Sequence, residues 1–483
     1  MREKDRNRNY SDRTAEASVP PGGADMQAGG PPAVSAESSK SFYYRRMLTV
    51  TIPVVIQHLI DIGLNLADSV MIGRLGEQQL AATGSANQIF GIFGSLCFGF
   101  FSGATVYVAQ YFGAKDSRNI RKIFGFEVAL GTAIGVVFFA LTNALTEPLL
   151  GIFTDEPEVI GYGAEYIRIV SFSYVPTAIS FAISFNSRPI QRVTTVTAIS
   201  AAALSLNVVL NWLLIYGPGP FPELGVRGAA AATLIARLVE LVSLIVYLAV
   251  TKDHIFHAPL KELFVWDGEL YRKVMKTSIP VTCSETGWSL GASLVFATYG
   301  RLGSAALAVI QVASMTCQVF QSIIFGFGSG AAVVIGETLG RKDVDGAVVH
   351  ARRTLRIACV LIAIMVGGSL AIMKPIALAY DFKPETTSLM YRAVTVYTFT
   401  MIPRMMAYVL QCGILRAGGD TFFCMVTELT GNLVIELAMA NVAVVLLDWD
   451  LPAAIALASL GNIFKMTANY LRYRSRKWIN IVI

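Results

Sequence analysis

The sequence predicts an all-α polytopic membrane protein of twelve transmembrane helices, arranged as two parallel, pseudo-symmetric six-helix lobes. Three observations carry that prediction. First, the chain is 54% hydrophobic and only 15% charged over 483 residues, with a mean hydropathy of +0.56, which is too apolar for a soluble protein. Second, uncharged stretches of about 20 residues or more, the length that crosses a bilayer, recur along it, as in Val193 to Gly217 and Gln78 to Ala114. Third, residues 51–116 reappear without a gap as residues 278–343, at a constant shift of 227 (280 − 53). Ile52-Pro53-Val54 becomes Ile279-Pro280-Val281, and Gly73-Arg74-Leu75-Gly76 becomes Gly300-Arg301-Leu302-Gly303. The same shift relates Phe98-Gly99-Phe100 to Phe325-Gly326-Phe327, Lys115-Asp116 to Lys342-Asp343, and Pro176 to Pro403. A duplication of this length in an apolar chain implies two copies of one helical bundle facing each other across a pseudo-symmetry axis.

The spans read as 48–73, 80–112, 123–147, 160–185, 193–217 and 228–251 in the first half. The second half gives 276–300, 305–338, 354–380, 388–413, 421–447 and 451–471. Backbone polar groups must be satisfied internally in lipid, so each is a helix. Six spans per copy, an even number, inserts both halves the same way round. The connections alternate in charge. Lys115, Arg118, Arg121 and Lys122 follow span two, Arg188 and Arg192 follow span four, and Lys252, Lys261, Arg272, Lys273 and Lys276 fall between spans six and seven. Arg341, Lys342, Arg352, Arg353 and Arg356 follow span eight, and Arg472, Arg474, Arg476 and Lys477 close the chain. The other face has fewer cations (Arg74, Arg227, Arg301, Lys374, Lys383) and carries Asp155, Glu156, Glu158, Asp448 and Asp450. That asymmetry places both termini in the cytoplasm, in a cell (inner) membrane protein. It also accounts for the +6 net charge through an anionic leaflet, with the lipid bilayer and no nucleic acid as partner.

The resulting division is a tail over 1–40, an N-lobe over 41–251, a linker over 252–275, a C-lobe over 276–471 and a basic tail over 472–483. Residues 1–40, with Pro20-Pro21-Gly22-Gly23 and Gly29-Gly30-Pro31-Pro32, offer no apolar face to bury and are expected to be disordered and not a cleaved leader. Phe42-Tyr43-Tyr44-Arg45-Arg46 reads as an interfacial anchor. Cys97, Cys283, Cys317, Cys359, Cys412 and Cys424 lie in or beside spans without metal-ligand spacing. The absence of HExxH, GxSxG and phosphate-loop patterns argues against a hydrolase or an ATP-driven pump. No cofactor and no enzymatic activity are expected, and the chain is expected to work as a monomer.

Ionisable groups inside the spans are the candidate functional residues, because each costs about 2.5–3.5 kcal/mol at a helix centre unless it faces protein or water. At 100° per residue, Gln57, His58, Asp61, Asn65 and Asp68 share an arc of about 100° on span one. Such a stripe either lines a hydrated cavity or knits helices together by hydrogen bonds. The shift of 227 carries His58 onto Glu285, Asp61 onto Trp288 and Asp68 onto Val295, so the carboxylates are not duplicated with the fold. Arg237 and Glu240 are three apart and expected to neutralise one another, and Glu436 in span eleven needs water or a cationic partner.

From about Ser41 onward the chain resembles the multidrug and toxic compound extrusion (MATE) transporters of the MOP flippase superfamily, particularly their bacterial branches. The resemblance rests on Ala67-Asp68-Ser69-Val70-Met71-Ile72-Gly73-Arg74-Leu75-Gly76, Gln110-Tyr111-Phe112-Gly113-Ala114-Lys115-Asp116 and Leu206-Asn207-Val208-Val209-Leu210-Asn211. Gly228-Ala229-Ala230-Ala231-Ala232-Thr233 and Gly413-Ile414-Leu415-Arg416-Ala417-Gly418-Gly419-Asp420-Thr421 complete it. It implies a V-shaped cleft between lobes that exports small amphipathic, often cationic compounds in antiport with Na⁺ or H⁺. Asp68 matches the ion-binding aspartate, with Asn207 and Thr233 as side-chain oxygens that could join it around Na⁺. Asn211 stands where some relatives carry a second aspartate, and Glu285 and Asp420 match acidic positions of the C-lobe. With Arg416 four residues before it, Asp420 could equally form a loop salt bridge. Asn186-Ser187-Arg188-Pro189-Ile190 departs from the arginine-glycine-aspartate stretch usual there. Two rival readings are a lipid-linked precursor flippase, which should bring extra spans and cavity arginines, and a non-transport receptor or channel. The placeable cavity charges are mostly acidic, which favours the exporter.

Overall fold

The computed structural model describes residues 40–154, 156–219, 222–379 and 384–483. Residues 1–39 of the expected disordered tail and the two face charges Asp155 and Lys383 lie outside these residues; the last tail residue, Lys40, is helical. Twelve long helices follow in order. The first six are α1 (Lys40–Gly73), α2 (Glu77–Gly113), α3 (Ser117–Ala144), α4 (Pro157–Ser187), α5 (Val193–Tyr216) and α6 (Val226–Val250). They are followed by α7 (Gly268–Gly300), α8 (Ser304–Gly340), α9 (Val344–Ala379), α10 (Pro384–Leu415), α11 (Thr421–Leu446) and α12 (Leu451–Arg474). Among the described residues, eleven are long and apolar enough to cross a membrane. The remaining one, α7, is 33 residues long and takes the place of span seven, with Glu285 and a charged first turn diluting its apolarity. The fold is the duplicated, all-helical, twelve-helix membrane bundle that the sequence predicts.

Shifting the first half by 227 places α2 on 304–340, the bounds of α8, and brings α1, α3 and α4 to within a residue of the starts of α7, α9 and α10. Even the turns repeat. Lys115 and Lys342 both take left-handed backbone, at φ 61° and 64°, as do Gly76 and Gly303, at 145° and 102°. Several helices outrun their apolar stretches: α9 starts ten residues before the hydropathy boundary at 354. Backbone hydrogen bonding continues into water, where Arg352 and Arg353 sit, and hydropathy reads only the part in lipid.

The halves meet through α1, α2, α7 and α8, and small residues let backbones touch. A Cβ on Gly99 would lie 2.4 Å from Thr282 Cα and one on Gly103 2.5 Å from Ser278 Cα. Their counterparts Gly326 and Gly330 lean in the same way on Val55 and Thr51, at 2.5 and 2.4 Å. At the basic end, a Cβ on Gly113 would sit 2.0 Å from the Glu337 carbonyl oxygen, and one on Gly340 1.9 Å from that of Gln110. Because 113 and 340, and 110 and 337, are related by the shift, these contacts are reciprocal and define a two-fold seam.

The expected interfacial anchor is only partly one. Tyr43 is fully buried, bonded to Thr354 Oγ1 at 2.8 Å and stacked on His350, whereas Tyr44 is exposed. The start of α1 thus packs into a core formed by α8, α9 and α10. The chain's end also bridges the halves. Trp478 is buried against α8 and the α10–α11 turn, while Val482 and Ile483 pack on the core of α2, α3 and α7. Gln110 holds this segment, donating to Ala417 O and Asn480 O and accepting from Val482 N.

Candidate functional site

Two polar sites emerge. The first is inside the first half. Asp68, near the end of α1, accepts a 2.7 Å hydrogen bond from Asn211 Nδ2 of α5. Asn211 is fully buried and also lies 3.4 Å from Asn207 Oδ1. Asn207 in turn reaches Thr233 of α6 at 3.4 Å, and the Thr233 hydroxyl donates to Ala229 O. One helical turn separates Asn207 from Asn211, so both point to the same side of α5. A carboxylate with neutral amide and hydroxyl oxygens around it, and no ion pair to Arg or Lys among the described residues, can take a proton or a small hard cation. The Oδ1 of Asn211 is buried without a partner and is one further oxygen free to turn toward such an ion.

The second is a central cavity of roughly 400 Å³ between the halves, a size suited to a small molecule. Aromatics form much of its wall, including Phe98, Phe181, Trp288, Phe325 and Tyr408. Its charged lining is basic on balance: Arg188, Arg404, Arg416 and Lys465 face Glu285 and Glu428. Arg416 Nη1 donates to Glu285 at 2.6 Å and Nη2 to Ser284 Oγ at 3.4 Å. Lys465 donates to Glu428 at 3.2 Å and to Asn432 at 2.6 Å, and Asn432 donates to Glu428 at 2.7 Å. The Arg416 end of this wall follows a π-helical turn over Val409–Leu415. Such a turn spaces residues by five and re-aims the side chains that follow it.

The sequence-predicted residues divide among these sites. Asp68, Asn207, Asn211 and Thr233 come together as the resemblance implied. His58 and Glu285 line the central cavity. Gln57, Asp61, Asn65 and Glu436 are not among its lining residues; Asn65 is exposed on α1. The stripe on α1 is therefore split, because a 34-residue helix passes both the cavity and the interior of its own half. Asp420 is paired with Arg472, Nε at 2.6 Å and Nη2 at 3.1 Å, and not with Arg416; it stands just before α11 and, unlike Glu285, is not among the cavity-lining residues. Arg237 and Glu240 pair at 2.9 Å as expected. Four residues escaped the sequence reading. Arg188 had been assigned to a loop, yet it lines the cavity with Arg404 and Lys465, so the expected acidic balance is corrected. The fourth is Glu127 of α3, fully buried and bonded to Asn186, which gives the departure at Asn186 a structural use. Arg404 and Lys465, cations inside spans, were the signal that could have been read.

A duplicated helical bundle with a cavity at its two-fold seam and a carboxylate site beside it defines a polytopic membrane protein of the transporter kind. The MatE family model matches the chain twice, over residues 53–213 and 280–442. The chain belongs to the MatE family. Among its relatives, the probable multidrug resistance protein NorM of Rhizobium meliloti is 30% identical over 65% of this chain and 67% of that protein. Its namesake in Bradyrhizobium diazoefficiens is 28% identical over 61% of this chain, which spans just under two thirds (63%) of that relative's length. Among solved structures, an outward-facing multidrug resistance MATE transporter of the MOP superfamily aligns with a TM-score of 0.82 at 18% identity, over 90% of this chain and 96% of that one; the fold is shared.

Proposed function

We propose that this protein is a secondary active exporter that carries small amphipathic compounds out of the cell through the central cavity, in antiport with Na⁺ or H⁺ bound at Asp68. The observation that carries this reading is the Asp68–Asn211–Asn207–Thr233 group. It is a carboxylate without an ion pair among the described residues, set in the interior of one half and apart from the cavity. The names of the rhizobial relatives support the drug-export part. In this reading the halves 41–251 and 276–471 rock as lobes, with the basic face and both termini cytoplasmic. An ion entering from outside neutralises Asp68. α1, which lacks a backbone donor at Pro53 and can bend there, repacks and reduces the cavity, and cargo leaves outward. The ion then departs inward as the lobes rock.

One monovalent cation falling through 100 mV supplies about 2.3 kcal/mol, a roughly 40-fold cargo gradient. Asp68→Asn keeps the hydrogen-bonding shape and removes the charge. Its gradient-driven efflux from proteoliposomes is expected to fall by about ten-fold or more, well within that margin, while equilibrium cargo binding persists. Full coupled export by Asp68→Asn would refute the ion role. Replacing Na⁺ by K⁺ at constant pH decides between the two coupling ions. The flippase reading keeps one mark in its favour, the cavity arginines, while the twelve helices among the described residues include none of the extra spans it calls for.

A further inference from the structure

We propose that the first-half side of the central cavity is an anion subsite centred on Arg188, so that the cargo is an amphipathic organic acid: a carboxylate, sulfonate or phosphate on an apolar or aromatic body. The proposal rests on the export reading for its physiological sense, but the site stands on geometry alone.

The two-fold repeat supplies the argument. Across the turn after α4 the register slips by one, and Gln191 and Gly419 share left-handed backbone, at φ 61° and 76°, at a shift of 228 (419 − 191). The same shift pairs Arg188 with Arg416. Both arginines line the central cavity and the smaller one beside it, so they occupy equivalent places in the two halves. Arg416 is neutralised by Glu285 at 2.6 Å. The position equivalent to Glu285 is His58, at a shift of 227. An imidazole thus stands where the second half has a carboxylate, and it supplies no negative charge.

Arg188 is left with no ion pair and no side-chain hydrogen bond among the described residues. Its guanidinium lies 4.3 Å over the Phe185 ring, and its Nε is buried without a partner. A half-buried guanidinium that faces a cavity and lacks the carboxylate of its counterpart is a preformed acceptor for one. Arg404, without an ion pair among the described residues and 6.0 Å over Trp288, adds a second cation on the opposite wall, with Glu436 and Glu428 within electrostatic reach of it. The remaining lining cations are matched, Arg416 by Glu285 and Lys465 by Glu428. The cavity lining therefore carries four cations against two carboxylates, with Asp61 and Glu436 within electrostatic reach behind Arg188 and Arg404. Phe98, Phe181 and Phe325 offer the apolar body its surface.

The test uses the full-length protein in phosphatidylcholine vesicles with two fluorescent probes, 8-anilinonaphthalene-1-sulfonate as amphipathic anion and ethidium as cation. Wild type is expected to bind and export the anion in preference to ethidium. Arg188→Gln should weaken anion binding about ten-fold or more, as loss of a charged hydrogen-bonding partner does, with Arg188→Lys retaining part of it. His58→Glu is the decisive variant. It gives Arg188 the carboxylate that Glu285 gives Arg416, so anion binding should fall as in Arg188→Gln while ethidium binding rises. With one cation entering per organic anion leaving, two charges move in the same direction, and an inside-negative potential should accelerate anion export.

Preference for ethidium in wild type, or anion binding indifferent to both Arg188→Gln and His58→Glu, overturns the proposal. If ethidium alone is exported, the anion subsite falls and the exporter reading stands. If the anion binds through Arg188 but neither probe is moved by an ion gradient, the exporter reading falls and the subsite stands. Displacement of the anion by added phosphatidylglycerol would assign the acidic group to a lipid headgroup and overturn the assignment to a free solute.

Discussion

Lys465 shows what a single charge costs inside this fold. Its side chain is almost wholly enclosed, 4% exposed, with that of Glu428 12% exposed opposite it; Gly431 leaves room for its stem, and Gly461 lets the backbones of α11 and α12 meet. Removing one member of such a pair leaves the other desolvated and alone, at a cost of about 3–5 kcal/mol. Lys465→Met is therefore expected to lower the thermal unfolding midpoint in detergent sharply, and Lys465→Met with Glu428→Gln should recover much of the loss. Equal midpoints for the single and double variants would show that the pair is not coupled. Sequence reading caught Asp68 and Glu285 because an isolated carboxylate in an apolar run needs a reason. It missed Arg188 because a cation at a helix end looks like a loop residue facing lipid headgroups. Only the depth at which α4 ends distinguishes the two, and depth is a tertiary property.

Between helices, glycine decides how closely backbones approach. A Cβ at residue 340 would stand 1.9 Å from a backbone oxygen, and no rotamer change relieves a clash with backbone. Gly340→Ala and Gly113→Ala should each cost more than the roughly 1–3 kcal/mol of ordinary overpacking, and by similar amounts because their contacts are reciprocal. Gly63→Ala and Gly84→Ala, on α1 and α2 with nothing within 4 Å of the added methyl, should be neutral or stabilising by up to about 1 kcal/mol. Unfolding midpoints of the four variants check this, and an ordering in which residue 340 tolerates alanine as well as residue 63 does would contradict the seam. Helix starts at 344 and 384 follow from those at 117 and 157 by the repeat alone. Hydropathy misplaces several of them, because it senses solvent and not hydrogen bonding.

The duplication was legible as soon as two segments matched, and with it the count and direction of the helices. The assembly of the halves was not. That α1 begins in the core of the second half, and that the chain's last residues cross to the first, depends on long-range packing that no local pattern encodes. Gln110 binds the terminal segment through two backbone groups, Asn480 O and Val482 N, and the α10–α11 turn through Ala417 O, and this segment straps the basic end across the seam. Truncation before Trp478 should loosen that end. In a background with the six native cysteines replaced, an Ala417→Cys reporter, buried beside Trp478, should react several-fold faster with a membrane-impermeant maleimide after truncation. An unchanged rate would mean that the helices close that end unaided.

The glycine contacts at residues 113 and 340 also bear on how such a molecule avoids leaking. Side chains can yield by degrees, and a barrier built from them thins gradually under thermal motion. Here main chain rests on main chain, which has no rotamers with which to yield, so the contact opens only when the helices themselves move apart.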